Sequence, residues 1–374
     1  MIKLLRISSV PVKQLNNVNL EFDLMGENTY GVALEHYFKK FIATSDAIIY
    51  ELNQTGKCDA HEVVYNHKKL QNLWFKAHYP SKNINEISEI DILKCQILYY
   101  DPDVIFINTN LVSHQQLKQI TTRKVFLMAW DGYIKPLLEL NSKYDLVLTC
   151  LDSIAHKFHK IGTKSEVLDF AFDKRVLDYV SLNKTETLNF VGNFTYVHVE
   201  RQALLKALVE ENLDISIYIG NYDTGINPFS RTIAREILQN KRIKSLWDVY
   251  KFQRMNKGAV YGLDMYNAIA HANSSLNFHG DEVDKACNMR LFEATGLGTC
   301  LITDDKPGLE KFFKVDEEVV VFKNEKDLVD KVRFLQENEN EALRIGEAGQ
   351  KRIFAEHLWS HRVLELLDII DRNI

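Results

Sequence analysis

The stretch HGDEVDKACNMRLFEATGLGTCLIT, residues 279–303, reads as the end of one strand, a loop, a short helix, a glycine turn and a second buried strand. Asn288 has the side chain of an N-cap, which starts the helix there and puts Arg290 in its first turn. Strand and helix in alternation imply a parallel sheet covered on both faces. The same alternation extends outward from this stretch. In the first half the strand-length apolar runs are Ile2–Ile7, Glu62–Tyr65, Val104–Ile107, Val125–Ala129 and Leu146–Thr149, with helical periodicity over Gly31–Ile42, Ile87–Tyr100 and Ser153–Ile161. After Asp169–Asp173 and the polar stretch Ser181–Thr187 the pattern restarts. Its strands are Leu188–Val191, Ile215–Ile219, Ser275–Phe278, Cys300–Thr303 and Glu318–Phe322, separated by helical segments Arg201–Glu210, Asp264–Ala272, Asn288–Leu297 and Glu325–Gln336.

The chain has 374 residues, which at ~150 per domain favours two. The boundaries expected are a first domain over 1–172, a linker over 173–187 and a second domain over 188–358, with no repeat of fixed period. Hydrophobic residues make up 46% and charged residues 26%, enough apolar content for sizeable cores. A formal charge of −5 gives no overall field for nucleic acid. No run approaches the ~18 apolar residues of a membrane helix, and Met1–Arg6 leads straight into a strand, so a cytoplasmic location is expected. Cys58, Cys95, Cys150, Cys287 and Cys300 are scattered without a C-x-x-C pair, which predicts neither a zinc site nor a disulfide framework.

Ligands of open α/β sheets collect beyond the carboxyl ends of the strands, so the residues that follow strands are the ones to search. The first strand is followed by Ser8-Ser9-Val10-Pro11 instead of G-x-G-x-x-G, and no P-loop is present, which counts against a nicotinamide oxidoreductase and an ordinary ATPase. Arg290 in a first helical turn opposes the helix dipole unless an anion binds there. Glu293 shares its face three residues on and has the acceptors for two vicinal hydroxyls while Arg290 meets a phosphate; the spacing equally describes an exposed ion pair. Gly192-Asn193 follows a strand and offers backbone N–H groups to a phosphate, or is a plain turn. Arg201 either points into a cleft or solvates its helix. His279, straight after a strand, is a contact to sugar or phosphate or a satisfied structural histidine. Asp131, after Val125–Ala129, is a general base with Trp130 or Tyr133 stacking on a sugar face, or a helix cap before Ile134. His114 lies in a Ser113-x-x-Gln116 capping box, and Asp101-Pro102-Asp103 precedes its strand, so both are read as structural.

These residues also carry a family resemblance. Asn288-x-Arg290-x-Phe292-Glu293-Ala294, Gly298, and His357-Leu358-Trp359-Ser360-His361-Arg362 resemble the spore-maturation-protein-like branch of the GT-B glycosyltransferases. Phe190-Val191-Gly192-Asn193 with Arg201, Gly258–Met265 and Leu276-Asn277-Phe278-His279 fit the same branch in the same order, so that the resemblance spans about residues 188–366. It implies a GT-B α/β fold: two Rossmann-like domains whose parallel sheets face an interdomain cleft, the first taking the acceptor and the second a nucleotide-sugar donor. A C-terminal helix, 359–374, would return to the first domain. By the same match Glu293 holds the ribose, Arg290 and Asn288 the diphosphate, and Tyr261-Gly262 lie near the base. Many retaining relatives carry a glutamate where this chain has Lys285, which leaves the anomeric outcome open; Lys285 either neutralises the leaving diphosphate or is a solvated loop lysine.

The function expected is transfer of a sugar from a nucleotide-diphosphate sugar to a hydroxyl of a glycan, lipid-linked or protein acceptor, in cell-surface polysaccharide biosynthesis, with no metal or other cofactor. The alternatives are a nucleotide-sugar epimerase of the same fold and a non-catalytic glycan-binding or assembly protein. A lipid-linked acceptor leaves room for peripheral attachment at the inner face of the membrane. Asp131, His279 and Arg290 are the catalytic candidates, and Gly192, Asn193, Arg201, Tyr261, Gly262, Lys285, Asn288, Arg290 and Glu293 the donor-binding ones.

Overall fold

Leu4, Leu5, Arg6, Ile7 and Ser8 are buried in succession along the first strand, Ile2–Ser8 (β1), the pattern of a strand covered on both faces. The computed structural model describes all residues except 12–13, 17, 19–28, 122, 133–135, 193–198, 220–254 and 281–282, and elements are numbered over the described residues. After β1 come α1 (Tyr30–Phe38), α2 (Ala47–Gln54), β2 (Cys58–Val64), α3 (Lys68–His78), α4 (Glu89–Tyr100), β3 (Val104–Asn108), α5 (His114–Ile120), β4 (Phe126–Trp130), the one-turn α6 (Leu138–Asn141), β5 (Leu146–Thr149), α7 (Asp152–Lys160) and β6 (Ser165–Val167). All six strands run parallel in the order β2-β1-β3-β4-β5-β6, with Leu4 opposite Ala60 on one side and Val104 on the other.

A second parallel sheet is built from β7 (Glu186–Gly192), α8 (Val199–Glu210), β8 (Ser216–Ile219), α9 (Gly262–Ala270), β9 (Ala272–Asn277), α10 (Met289–Gly296), β10 (Cys300–Asp304), β11 (Val320–Phe322), α11 (Glu325–Glu337) and α12 (Glu339–Glu356). Its strand order is β11-β10-β9-β7-β8. The chain winds outward from β7 to β8, then returns past β7 to β9, so the order reverses between β7 and β9. That reversal is where doubly wound sheets leave a crevice beyond their strand ends. Phe190, Ile217, Leu276, Phe278, Ile302 and Phe322 belong to the core that binds the sheet to its helices. Gly298 completes the turn from α10 into β10 at φ +70°, a backbone setting that side chains disfavour.

By packing, the chain divides into two units: Met1–Asp169 with Trp359–Ile374, and Phe170–Leu358. The last helix, α13 (Trp359–Asn373), packs on α2 of the first unit and buries Trp359, Val363, Leu366, Leu367 and Ile370. Residues 173–187, expected as a linker, are part of the second unit. Lys184 Nζ donates to the Ala270 carbonyl at 2.9 Å and to Thr299 Oγ1 at 3.0 Å, while the Thr185 and Glu186 N–H groups both reach the His271 carbonyl. Among the described residues no helix is long and apolar enough to cross a membrane.

Ser113 and Gln116 form the expected capping box at the start of α5. Asp131, one residue beyond β4, is fully buried. Its Oδ2 accepts from the Leu137 N–H at 2.8 Å and from Asn141 Nδ2 at 3.0 Å, and its own N–H donates to the Leu148 carbonyl. The carboxylate thus holds its own loop, which accords with the cap alternative, since Leu137 is the N-cap of α6.

Two outcomes follow. Asp131→Ala strands one buried and one part-buried donor and should lower stability by about 1–3 kcal/mol, read from urea unfolding; an unchanged midpoint would mean the carboxylate is not holding the loop. Burial pushes the Lys184 ammonium down from 10.5 to about 8. Between about 8 and 10.5 the unfolded chain keeps a proton that the folded chain has lost, so stability rises with pH in that window. The gain should show as an increasing advantage of wild type over Lys184→Met in urea midpoints taken across the same range.

Candidate functional site

Helices α9 and α10 pack together in the second unit, and a polar cluster joins them. Arg290 Nη1 donates to Glu293 Oε2 at 2.8 Å, Arg290 Nη2 lies 3.3 Å from Met265 Sδ, and the Tyr266 hydroxyl donates to Glu293 Oε1 at 3.3 Å. The two charged side chains are only 16% and 5% exposed, so the pair is not a solvated surface bridge. Burial, and then the facing Glu293 carboxylate, drive the Tyr266 phenol well above its ordinary range, which keeps it a neutral donor. Each Glu293 oxygen accepts one of these bonds and keeps a further lone pair, so the carboxylate retains capacity for two hydroxyls.

The amino end of α10 is fastened to the sheet. Asn288 Oδ1 caps the Leu291 N–H at 3.1 Å, as its sequence position predicts. Asn288 Nδ2 donates to Asn277 Oδ1 at 2.9 Å, and Asn277 Nδ2 donates to Thr303 Oγ1 at 2.9 Å. One amide chain thus ties the helix to the ends of β9 and β10. Tyr261 and Gly262 open α9 without a side-chain cap, and Gly262 sits at φ +53°. First-turn N–H groups of both helices lie outside the intrahelical ladder.

At the crevice between β7 and β9, Gly192 leaves room for a ring: a Cβ there would lie 2.7 Å from Phe190 Cζ. The ring that comes close to this glycine belongs to its own strand neighbour. Phe190 packs on Phe278 at 5.5 Å between centroids and lies 5.5 Å beneath the Arg201 guanidinium. Arg201 is buried and donates through Nη2 to the Phe278 carbonyl at 2.7 Å, so it neither solvates its helix nor stands exposed. Asn193 lies outside the described residues, as do Tyr133, Asp281 and Glu282.

His279 follows β9 and is buried. Its backbone N–H and its Nδ1 both meet Asp304 Oδ1, at 3.0 and 2.7 Å, while Nε2 is buried with no hydrogen-bond partner among the described residues. Burial alone would raise the Asp304 carboxyl. The His279 ring, by hydrogen bond and by charge when protonated, its backbone N–H and then the Lys306 ammonium outweigh that effect and hold Asp304 below the usual range. The Asp304 role was absent from the sequence reading; its only signal is its place immediately after the apolar run Cys300–Thr303. Lys285 is exposed on a loop that the Ala286 N–H pins to the Pro307 carbonyl at 2.9 Å.

The candidates of the second unit therefore fall into linked groups. Tyr261 and Gly262 share a helix with the partners of Arg290 and Glu293, Asn288 joins that helix pair to the strand ends, and Arg201 braces the residue before His279. Asp131 belongs to the first unit. Among the described residues no group of three or more His, Cys, Asp or Glu side chains is placed to hold a metal ion.

Residues 201–368 match the family model described as "Glycosyl transferase-like". No curated protein matches the sequence. In structure the chain is similar to HepE from Anabaena in complex with UDP-glucose, at 10% identity over 100% of both chains and a TM-score of 0.56. It is also similar to a sucrose-phosphate synthase from Thermosynechococcus elongatus, at 10% identity over 100% of this chain and 99% of that one with a TM-score of 0.56. A third likeness is to a glycosyltransferase from Rickettsia africae, at 12% identity over 100% and 98% with a TM-score of 0.54. Two units, each a parallel sheet with its helices, and these likenesses give the GT-B architecture. The chain thus has the GT-B fold, and its residues 201–368 resemble the glycosyl transferase-like family.

Proposed function

We propose that this protein is an enzyme of the spore-maturation-protein-like branch that moves a sugar from a nucleoside diphosphate donor to a hydroxyl of a glycan, lipid-linked or protein acceptor. The observation that carries the reading is the largely enclosed Arg290–Glu293 pair at the amino end of α10, 16% and 5% exposed and steadied by Tyr266 and Met265. A structural ion pair alone gains little from being buried. A ligand that offers vicinal hydroxyls to Glu293 and a negative diphosphate to Arg290 gives that placement a use. The family match over 201–368 supports the reaction class, and the UDP-glucose held by HepE makes UDP the first nucleotide to test.

In this reading the second unit binds the donor. Glu293 accepts from the ribose hydroxyls, and Tyr261-Gly262 border the base. The leaving diphosphate collects charge as the glycosidic bond breaks, and the fixed donors near it are Arg290, the first-turn N–H groups of α10 and Lys285. Lys285 reaches it from a loop that the Pro307 carbonyl holds in place, and acts as a point charge. These cations supply leaving-group stabilisation without a metal ion.

Thermal-shift titration with UDP, GDP, TDP and CDP tests donor binding: a bound nucleotide at 100 times its Kd adds about 2.7 kcal/mol of apparent stability. Glu293→Ala should abolish the shift that wild type shows; a wild-type-like titration would remove the reading. Arg290→Ala should cost about 10²-fold in kcat, with a smaller change in donor affinity. EDTA should leave the rate unchanged. Product analysis with donor alone should give slow hydrolysis, whereas formation of an epimer would make the protein an epimerase of this fold.

A further inference from the structure

The His279–Asp304 pair stands at the strand-order reversal, where β9 ends beside β7, and one of its nitrogens is left over. Nδ1 is committed to Asp304 Oδ1 at 2.7 Å, an oxygen that the His279 backbone N–H also holds in place, so the ring cannot turn without breaking the Nδ1 contact. The side chain is fully enclosed, yet Nε2 has no protein partner among the described residues. A polar atom kept buried and unpaired is costly and calls for an explanation; here a place straight after a strand end supplies one. Asp304 also faces Lys306, its Oδ2 lying 4.0 Å from Nζ. With the hydrogen on Nδ1, the ring offers a lone pair at Nε2.

A lone pair selects among the groups of a nucleoside diphosphate sugar. Phosphate oxygens only accept hydrogen bonds and are excluded. The ribose hydroxyls are matched by Glu293, and the base is assigned to the start of α9. The hydroxyls of the transferred sugar remain. We infer that Asp304 is a positioning residue that fixes the His279 tautomer, so that Nε2 accepts a hydrogen bond from a hydroxyl of the donor's sugar and reads that sugar. This rests on the donor-binding reading above and adds to it a contact that discriminates the sugar from the nucleotide.

The test compares UDP with UDP-glucose by calorimetry on the full chain, together with two-bond ¹H–¹⁵N correlation of the histidine rings. In wild type Nε2 of His279 should be unprotonated, and its resonance should move with UDP-glucose but not with UDP. Asp304→Ala should mix the tautomers and weaken UDP-glucose by about 5- to 10-fold, the worth of one hydrogen bond, with UDP affinity kept as proof of an intact fold. His279→Phe should match it, and the double variant should lose no more than either alone. Asp304→Asn, which keeps an acceptor oxygen, should restore the Nδ1–H tautomer and most of the affinity. A protonated Nε2 in wild type, an unchanged preference for UDP-glucose over UDP in Asp304→Ala, or equal losses for both ligands would each overturn the inference. Failure of wild type to bind UDP, GDP, TDP or CDP would instead remove the underlying donor reading.

Discussion

The candidate site depends on a chain of three polar side chains: Asn288 to Asn277 to Thr303. Helix α10 is only eight residues long, too short to hold its place by propensity. Its amino end is set by Asn288, which caps the helix with one atom and grips the end of β9 with another. Through Thr303 the grip extends to β10. Everything assigned to a ligand is measured from that fixed point. Arg290 and Glu293 project from the first two turns of α10, while His279 and Asp304 leave the two strands that the amides join.

Charge is handled differently at the two ends of this arrangement. On the helices, Arg290 and Glu293 neutralise each other in a nearly dry setting, and Tyr266 adds a neutral donor whose proton burial keeps in place. Such a pair is a weak source of stability. At the strand ends, Asp304 stays low because hydrogen bonds from His279 and the ammonium of Lys306 outweigh its burial. Arg201 is held by the Phe278 carbonyl and by the Phe190 ring, and so stiffens the crevice between β7 and β9. Gly192 matters here because any larger residue would strike the ring on which Arg201 rests.

Much of the fold is written in the sequence because the strands are apolar and doubly covered. Leu146–Thr149 is buried along its whole length and coincides with the run read from the sequence. β2 starts four residues earlier than its apolar core, since Asp59 and His61 are only partly buried and break the run. β6, three residues with one serine and one glutamate, leaves no apolar signature at all. Spacing placed Arg290 and Glu293 on one face, but burial depends on α9, which is distant in sequence, so spacing could not separate a surface bridge from an enclosed pair. The rule that function gathers after strands pointed to both His279 and Asp131. Their neighbours distinguish them: Asp131 Oδ2 holds its own loop, whereas His279 Nε2 has no hydrogen-bond partner among the described residues.

The first unit is discontinuous, built from residues 1–169 and 359–374 with the second unit spliced between them. During synthesis the ribosome releases α13 only after all of the intervening unit has emerged. The second unit is one uninterrupted segment and can condense as soon as it is exposed, because domains generally fold as units. The first must wait with α2 uncovered until Trp359, Val363 and Leu366 arrive to cover it. A ribosome that stalls near residue 358 would therefore release a polypeptide with one finished half and one bearing a bare apolar seam, the kind of surface that chaperones recognise.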